Sequence, residues 1–257
     1  MNHNDAFFTV DNLSKSFGGL QAVHEVAFCV EEGSLTSFIG PNGAGKTTVF
    51  DLISGFLPAD SGQIKFKGQN IAHRKPHDIV AMGMARTFQN LNLFYQLSVW
   101  DNIFLALPGK RREHLWGLFV PKRILRREEI IYEKRTNEII DFLGLNGKAG
   151  EKVENLSWGD QKLVSIGRLL ATDSEFLLFD EPVSGLSDPQ IDHLKSLLRG
   201  LILRGKTILL IDHNVKAVMD ISDWVFVLNF GEIITEGKPN DILSHEEVIR
   251  VYLGREA

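Results

Sequence analysis

Residues 40–48 read GPNGAGKTT and fit the phosphate-loop pattern G-x-x-x-x-G-K-S/T at every fixed position. The glycines let the backbone curl with its N–H groups pointing inward, where they can surround phosphate oxygens. In this pattern Lys46 reaches the β- and γ-phosphates, and the Thr47 hydroxyl contacts a Mg²⁺ ion. The sequence therefore predicts a site for a nucleoside triphosphate. Its loop contacts would be Asn42, Gly43, Ala44, Gly45, Lys46, Thr47 and Thr48.

The flanking residues predict the strand, loop and helix order that this site requires. Residues 34–39 alternate and are rich in β-formers, and residues 48–53 can begin a helix whose N-terminal dipole faces the phosphates. Residues 176–180 form an apolar run that ends in Asp180 and Glu181, which is typical of a buried parallel strand. Ligands lie beyond the carboxyl ends of such strands. We therefore expect Asp180 near Mg²⁺ and Glu181 where it orients or deprotonates a water molecule.

Three further residues become candidates because the phosphate loop is present. Phe17 precedes the loop and is followed by two glycines, so its ring can stack on an adenine base; without the loop it would be interpreted as a core residue. Gln89 offers a neutral oxygen that can join the shell of Mg²⁺ and leave it without a charge penalty. His213 follows the apolar strand-like run 207–211, where it can contact the γ-phosphate.

A second anion site is predicted at the start of a helix that runs to about Leu170. Ser157 suits the N-cap position of that helix, and Gly159 leaves backbone N–H groups accessible in its first turn. Helix N-termini of this kind bind phosphate groups. Taken by itself, however, a capping serine is interpreted as structural.

The overall composition restricts the class of protein. A net charge of −5 argues against nucleic acid as a partner, and the single cysteine, Cys29, excludes an internal disulfide and fits a reducing compartment. The first residues lack the features of a signal peptide, and no apolar run approaches the about 18 residues that span a bilayer. We therefore expect a soluble cytoplasmic protein that can dock on a membrane protein.

A basic run extends from Lys110 to Arg127, with seven lysines and arginines against one acid, Glu113. Trp116 and Phe119 lie within it. The run fits either a solvated face or a surface that contacts anionic headgroups or a membrane partner. Nucleic-acid binding is the third interpretation, because two aromatic residues in an acidic chain are weak support for it.

The order of these motifs resembles that of the ATP-binding subunits of ATP-binding-cassette (ABC) transporters over essentially the whole chain. Leu156-Ser157-x-Gly159 distinguishes that family from other phosphate-loop NTPases. The resemblance implies an α/β fold and a single ABC domain over residues 1–257. Its parts would be a mainly parallel core sheet, an N-terminal antiparallel β subdomain and a helical subdomain, at about residues 90–170, that carries the basic run.

The resemblance also implies a head-to-tail dimer, of like or unlike subunits, with two ATP molecules in its interface. Each ATP would be held by one chain's phosphate loop and by Ser157 and Gly159 of the other chain. ATP would close the dimer, and hydrolysis would open it and drive two membrane-spanning permease subunits. Glu181 and His213 would be catalytic, and Gln89 would couple the site to the permeases. The Mg²⁺ ligands would be Thr47, Gln89 and Asp180.

Within the family, the basic insertion after Gln89 and the ending at residues 248–254 resemble the branched-chain amino-acid importer ATPases and their amide and urea relatives. This implies solute import with a periplasmic or extracellular binding protein, at the inner face of the cell membrane. Two alternatives stay open. One is a lipopolysaccharide-export ATPase, whose tail and residues 212–215 are similar, and the other is a soluble ABC ATPase such as those of iron–sulfur assembly. The transported solute is not specified, because this subunit never contacts it.

Three residues depart from the family pattern. Trp158 stands where Gly or Tyr is usual, Asp160 where Gln is usual, and Ser187 where many members carry Asp. Ser157 and Gly159 are retained, so the resemblance still implies activity. Because Asp160 places a negative charge near an ATP phosphate, we expect it to weaken or slow closure of the dimer.

Overall fold

The structure, a computed structural model, describes residues 6–108 and 122–253. Two compact units are present: the first comprises residues 6–89 and 175–253, and the second comprises residues 90–108 and 122–174. Most of the basic run, residues 110–121, lies outside the described residues. Its interpretation as a membrane-facing surface therefore stays a prediction.

The first unit contains an antiparallel sheet at its N-terminal end. Its strands are β1 (Phe8–Phe17), β2 (Leu20–Val30), β4 (Ser61–Phe66) and β5 (Gln69–Asn70), in the spatial order β2-β1-β4-β5. Both central residues of the β1–β2 turn are glycines with positive φ, as a tight hairpin turn requires. In the sequence, β-forming residues are concentrated at positions 7–10 and 26–30, which predicts two short strands there. The pairing of Phe17 with Leu20 shows that the hairpin is longer and places Phe17 at its tip.

A second sheet in the first unit is mainly parallel, as predicted. Its strands are β3 (Leu35–Ile39), β6 (Met84–Arg86), β7 (Phe176–Asp180), β8 (Thr207–Ile211), β9 (Trp224–Asn229) and β10 (Glu232–Gly237). The order is β10-β9-β3-β8-β7-β6, and only the β10–β9 pair is antiparallel. β3, β7 and β8 are buried along their whole length, which explains why they read as continuous apolar runs.

One apolar core joins the two sheets of the first unit. Phe28 of β2 packs edge-on against Phe38 of β3 with ring centroids 4.9 Å apart, and Phe176 of β7 lies 5.0 Å from Phe8 of β1. This core makes the carboxyl ends of the parallel strands a rigid support for side chains.

The helices of this unit are α1 (Lys46–Ile53), α2 (Pro76–Ala81), α6 (Asp188–Leu203), α7 (Val215–Met219), α8 (Pro239–Leu243) and α9 (Glu246–Leu253).

The second unit is helical, with α3 (Val99–Phe104), α4 (Lys122–Leu143) and α5 (Trp158–Ala171). Gly167 of α5 allows close packing, because a Cβ there would lie 2.7 Å from Ile103 and 2.9 Å from Leu143. Helix α4 ends before Gly144, whose φ of 72° is typical of a helix C-terminus. None of the helices within residues 6–108 and 122–253 is long and apolar enough to cross a membrane.

Candidate active site

The phosphate loop connects β3 to α1, and its glycines are required by close neighbours. A Cβ at Gly40 would lie 2.1 Å from the Leu228 carbonyl oxygen, and a Cβ at Gly45 would lie 2.5 Å from the Ala22 carbonyl oxygen. Gly45 also has a φ of 101°, a conformation that side chains disfavour, and it directly precedes α1. The strand–loop–helix order predicted from the sequence is thus confirmed, and the loop lies against the β1–β2 and β9–β10 hairpins.

An open cavity of about 320 Å³ lies over this loop. All seven loop residues predicted from the sequence, 42–48, line it, together with Glu181 and residues of the two hairpins. Phe17 is not in the described lining; the residue is 46% exposed, and Lys15 Nζ lies 5.6 Å from the centroid of its ring. The lining instead includes Phe230, which is 83% exposed and has an unusual positive φ of 45°. Phe230 lies in the turn between β9 and β10 and is not among the residues that the sequence motifs select.

Lys46 is almost fully buried at the base of the cavity. Its ammonium group donates hydrogen bonds to the carbonyl oxygens of Gly40 at 2.7 Å and Pro41 at 3.0 Å. Burial lowers the pKa of Lys46, and the carboxylate of Glu181 acts in the opposite direction. In this arrangement the carbonyl oxygens of the loop itself satisfy the ammonium group.

Glu181 lies directly after β7, with its backbone in the left-handed region at a φ of 48°. Its Oε2 accepts a hydrogen bond from Gln89 Nε2 at 3.2 Å and lies 3.8 Å from His213 Nδ1. Three residues that the sequence analysis selected on separate grounds therefore converge. A non-glycine residue in this conformation costs about 1–3 kcal/mol and is characteristic of functional sites.

Asp180 is buried and forms an ion pair that the sequence analysis missed. Its Oδ2 accepts a hydrogen bond from Arg86 at 2.6 Å, and the same guanidinium group donates to Asp51 Oδ1 at 2.6 Å. Burial raises the pKa of Asp180, and Arg86 opposes this effect. The rings of Phe50 and Phe88 lie 5.5 Å and 5.3 Å from the guanidinium carbon. The sequence carried one signal for this ion pair. Arg86 ends a strand-like segment, and a buried arginine is almost always paired with an acid.

In the second unit, Ser157 caps α5 as predicted. Its Oγ accepts a hydrogen bond from Asp160 N at 3.2 Å and donates one to Asp160 Oδ2 at 2.6 Å. Lys148 Nζ also donates to Asp160 Oδ2, at 2.6 Å. Burial alone would raise the pKa of Asp160, but the hydrogen bonds from Lys148 and Ser157 outweigh it and lower that pKa. Gly159 follows in the first turn of the helix. Lys148 was not identified from the sequence.

Residues 23–184 match the sequence model of a family described as ABC transporter. The chain belongs to the ABC transporter family. A second model, described as branched-chain amino acid ATP-binding cassette transporter, matches residues 232–257 of this ABC cassette. Both levels of the resemblance recognised in the sequence are thus confirmed.

Similar proteins cover nearly the whole cassette. A probable branched-chain amino acid transport ATP-binding protein LivG of Archaeoglobus fulgidus is 38% identical over 245 residues, which are 95% of this chain and 93% of that protein. The high-affinity branched-chain amino acid transport ATP-binding protein LivG of Escherichia coli is 36% identical over 247 residues, covering 96% and 97%. The cassette therefore resembles these relatives over nearly their full length and nearly its own.

Solved structures confirm the predicted fold. A nucleotide-free ATP-binding cassette from an ABC transporter superimposes with a TM-score of 0.83 at 31% identity, covering 96% of this chain and 98% of that one. A dimeric cassette in a post-hydrolysis state with ADP and phosphate gives a TM-score of 0.75 at 25% identity, covering 90% and 98%. The chain is accordingly an ABC transporter ATPase that binds ATP, dimerises and works with membrane permease partners.

Proposed function

We propose that this cassette, a single ABC domain, drives the import of branched-chain amino acids or of related amides or urea. The support is the match of residues 232–257 to the model of branched-chain amino acid cassettes, together with the names of the similar LivG proteins. The cassette would sit at the inner face of the membrane beneath two permeases, supplied by a solute-binding protein outside. Nucleic acid would have no part in this function.

The observation that carries the chemistry is the convergence of Gln89 and His213 on the Glu181 carboxylate. Glu181 also lines the cavity above the phosphate loop. There it would accept a proton from the attacking water, while His213 would contact the γ-phosphate. Lys46 would exchange its carbonyl partners for the β- and γ-phosphates. Phe17 would stack on the adenine base.

The residues proposed to hold Mg²⁺ are suited to it by donor chemistry. Thr47 offers a hydroxyl, Gln89 an amide oxygen and Asp180 a carboxylate, and Mg²⁺ prefers such oxygen ligands. When bound, the ion would neutralise charge that develops on the phosphate oxygens. Because Arg86 holds Oδ2 of Asp180, the direction of that carboxylate is set before any ion binds.

The second half of each ATP site would come from another copy of the chain. Ser157 and Gly159 at the start of α5 would donate hydrogen bonds to the γ-phosphate of the ATP held by the partner's loop. The dimeric relative with ADP and phosphate supports this arrangement. Dimer closure would then depend on ATP, and hydrolysis would release it.

Glu181→Gln tests the proposal, because it removes the proton acceptor and keeps the phosphate contacts. We expect normal ATP binding, hydrolysis slower by about 10²-fold or more, and an ATP-trapped dimer in light scattering. With the permeases in vesicles, the same variant should abolish leucine uptake. Glu175→Gln is the matched control, since Glu175 is an exposed acid that pairs with Lys67. Wild-type hydrolysis by Glu181→Gln would remove Glu181 from the catalytic role.

A further inference from the structure

Ser157, Asp160 and Lys148 form a hydrogen-bonded trio at the start of α5. Oδ2 of Asp160 accepts hydrogen bonds from Ser157 Oγ and from Lys148 Nζ, both at 2.6 Å. Lys148 belongs to a short 3-10 turn, Asn146–Lys148, twelve positions before Asp160. A single carboxylate oxygen thus connects the capping serine to a cation from a separate segment.

The trio bears directly on the charge that this helix end presents. The Asp160 side chain is only 17% exposed, and its two hydrogen bonds favour the ionised form at neutral pH. A negative charge in the first turn suits the helix dipole, but it occupies the end of the helix that a phosphate would approach. Lys148, whose side chain is 43% exposed, supplies the compensating positive charge.

We propose that Lys148 is a positioning residue for ATP-driven dimer closure, because it neutralises Asp160 where Ser157 meets the γ-phosphate held by the second copy. This inference rests on the proposed role of Ser157. Without Lys148, an uncompensated carboxylate would lie 2.6 Å from the hydroxyl that must donate to the phosphate. Like charges brought together in a closed interface oppose association. The expected weakening by Asp160 is therefore offset by Lys148 in this chain.

The test measures the ATP concentration needed for half-maximal dimerisation, in the Glu181→Gln background that prevents turnover. Lys148→Gln should raise this concentration about tenfold, because a symmetric dimer contains the trio twice and each copy contributes. Lys148→Arg keeps the charge and should stay within about twofold of the parent. With Glu181 intact, Lys148→Gln should raise the KM for ATP about as much and change kcat little, since the water-activating residues lie in the first unit.

A double variant separates compensation from a purely structural role. Lys148→Gln with Asp160→Gln removes both charges and should restore dimerisation to within about twofold of the parent. Lys152→Gln is the matched control, since Lys152 lies four positions after Lys148 and pairs with Glu154 at 3.5 Å. The inference is overturned if the Lys148→Gln variant dimerises at the same ATP concentration as the parent. It is also overturned if the double variant needs as much ATP for half-maximal dimerisation as Lys148→Gln does. If the Glu181→Gln parent itself forms no ATP-dependent dimer, the proposed function fails and the inference with it.

Discussion

Arg86→Met should destabilise the first unit strongly, because it removes the cation between two carboxylates. The Arg86 side chain is 5% exposed and that of Asp180 is 4% exposed, so water cannot replace the lost hydrogen bonds easily. Methionine keeps much of the length and the apolar character that pack between Phe50 and Phe88. The substitution therefore isolates the charge from the packing.

The magnitude follows from the burial of the pair. Removing one partner of a buried ion pair costs about 3–5 kcal/mol, because the other charge stays buried without compensation. The loss of two cation–π contacts at a site closed to water adds about 1 kcal/mol or more. Typical domains unfold with about 5–15 kcal/mol, so Arg86→Met should remove about a quarter of the stability or more.

The assay is urea-induced unfolding followed by circular dichroism, with the free energy of unfolding compared between variants. Arg135→Met is the matched control. Arg135 lies 2.6 Å from Asp173, the same distance as in the buried pair, but the two side chains are 42% and 68% exposed. Its loss should cost about 0–1 kcal/mol. Adding Asp180→Asn to Arg86→Met should recover part of the stability, since it removes the orphaned charge.

The reasoning is refuted if Arg86→Met costs no more than Arg135→Met. It is also refuted if Asp180→Asn fails to recover any stability in the Arg86→Met background, because the cost would then not come from an uncompensated carboxylate. A change in the slope m alone, with an unchanged midpoint, would indicate an altered denatured or native state or a departure from two-state unfolding, and it would not support the loss of the ion pair.

Two further predictions concern nucleotide binding. Lys46→Ala should abolish ATP binding in calorimetry, because the loop loses its cationic side chain; micromolar affinity in that variant would contradict the phosphate site. Phe17→Ala should weaken ATP binding by about 1–3 kcal/mol, the usual value of a base–aromatic stack, and Phe230→Ala is its comparison because that ring lines the cavity. If Phe230→Ala weakens ATP binding and Phe17→Ala does not, Phe230 rather than Phe17 stacks on the base.

The parts of the site that were predictable are those encoded in contiguous residues. The phosphate loop is defined by glycines and a lysine at fixed spacing, and the apolar run before Asp180 predicts a buried strand ending in an acid. Ser157 is a preferred capping residue before a helical pattern. Each of these signals depends on local backbone preference or on burial of one segment, which a single sequence displays directly.

The missed residues depend on which distant segments become neighbours. Arg86 meets Asp180, 94 positions away, because β6 pairs with β7 in a parallel register that no local pattern specifies. Lys148 reaches Asp160 because a 3-10 turn redirects the chain after α4. The length of the β1–β2 hairpin was underestimated for a related reason: alternation is weak near residue 17, and pairing between the strands extends them.

The strand order of the parallel sheet has a consequence for how the chain is made. β3 carries the phosphate loop, but its neighbours are β8 and β9, with Leu35 opposite Ile208 and Thr36 opposite Trp224. About 170 residues must therefore be synthesised before β3 acquires its first neighbour. At about 5–20 residues per second, this strand waits on the order of 10–30 s with both edges unpaired. The nucleotide-binding segment emerges early from the ribosome and yet is among the last parts of the sheet to be enclosed.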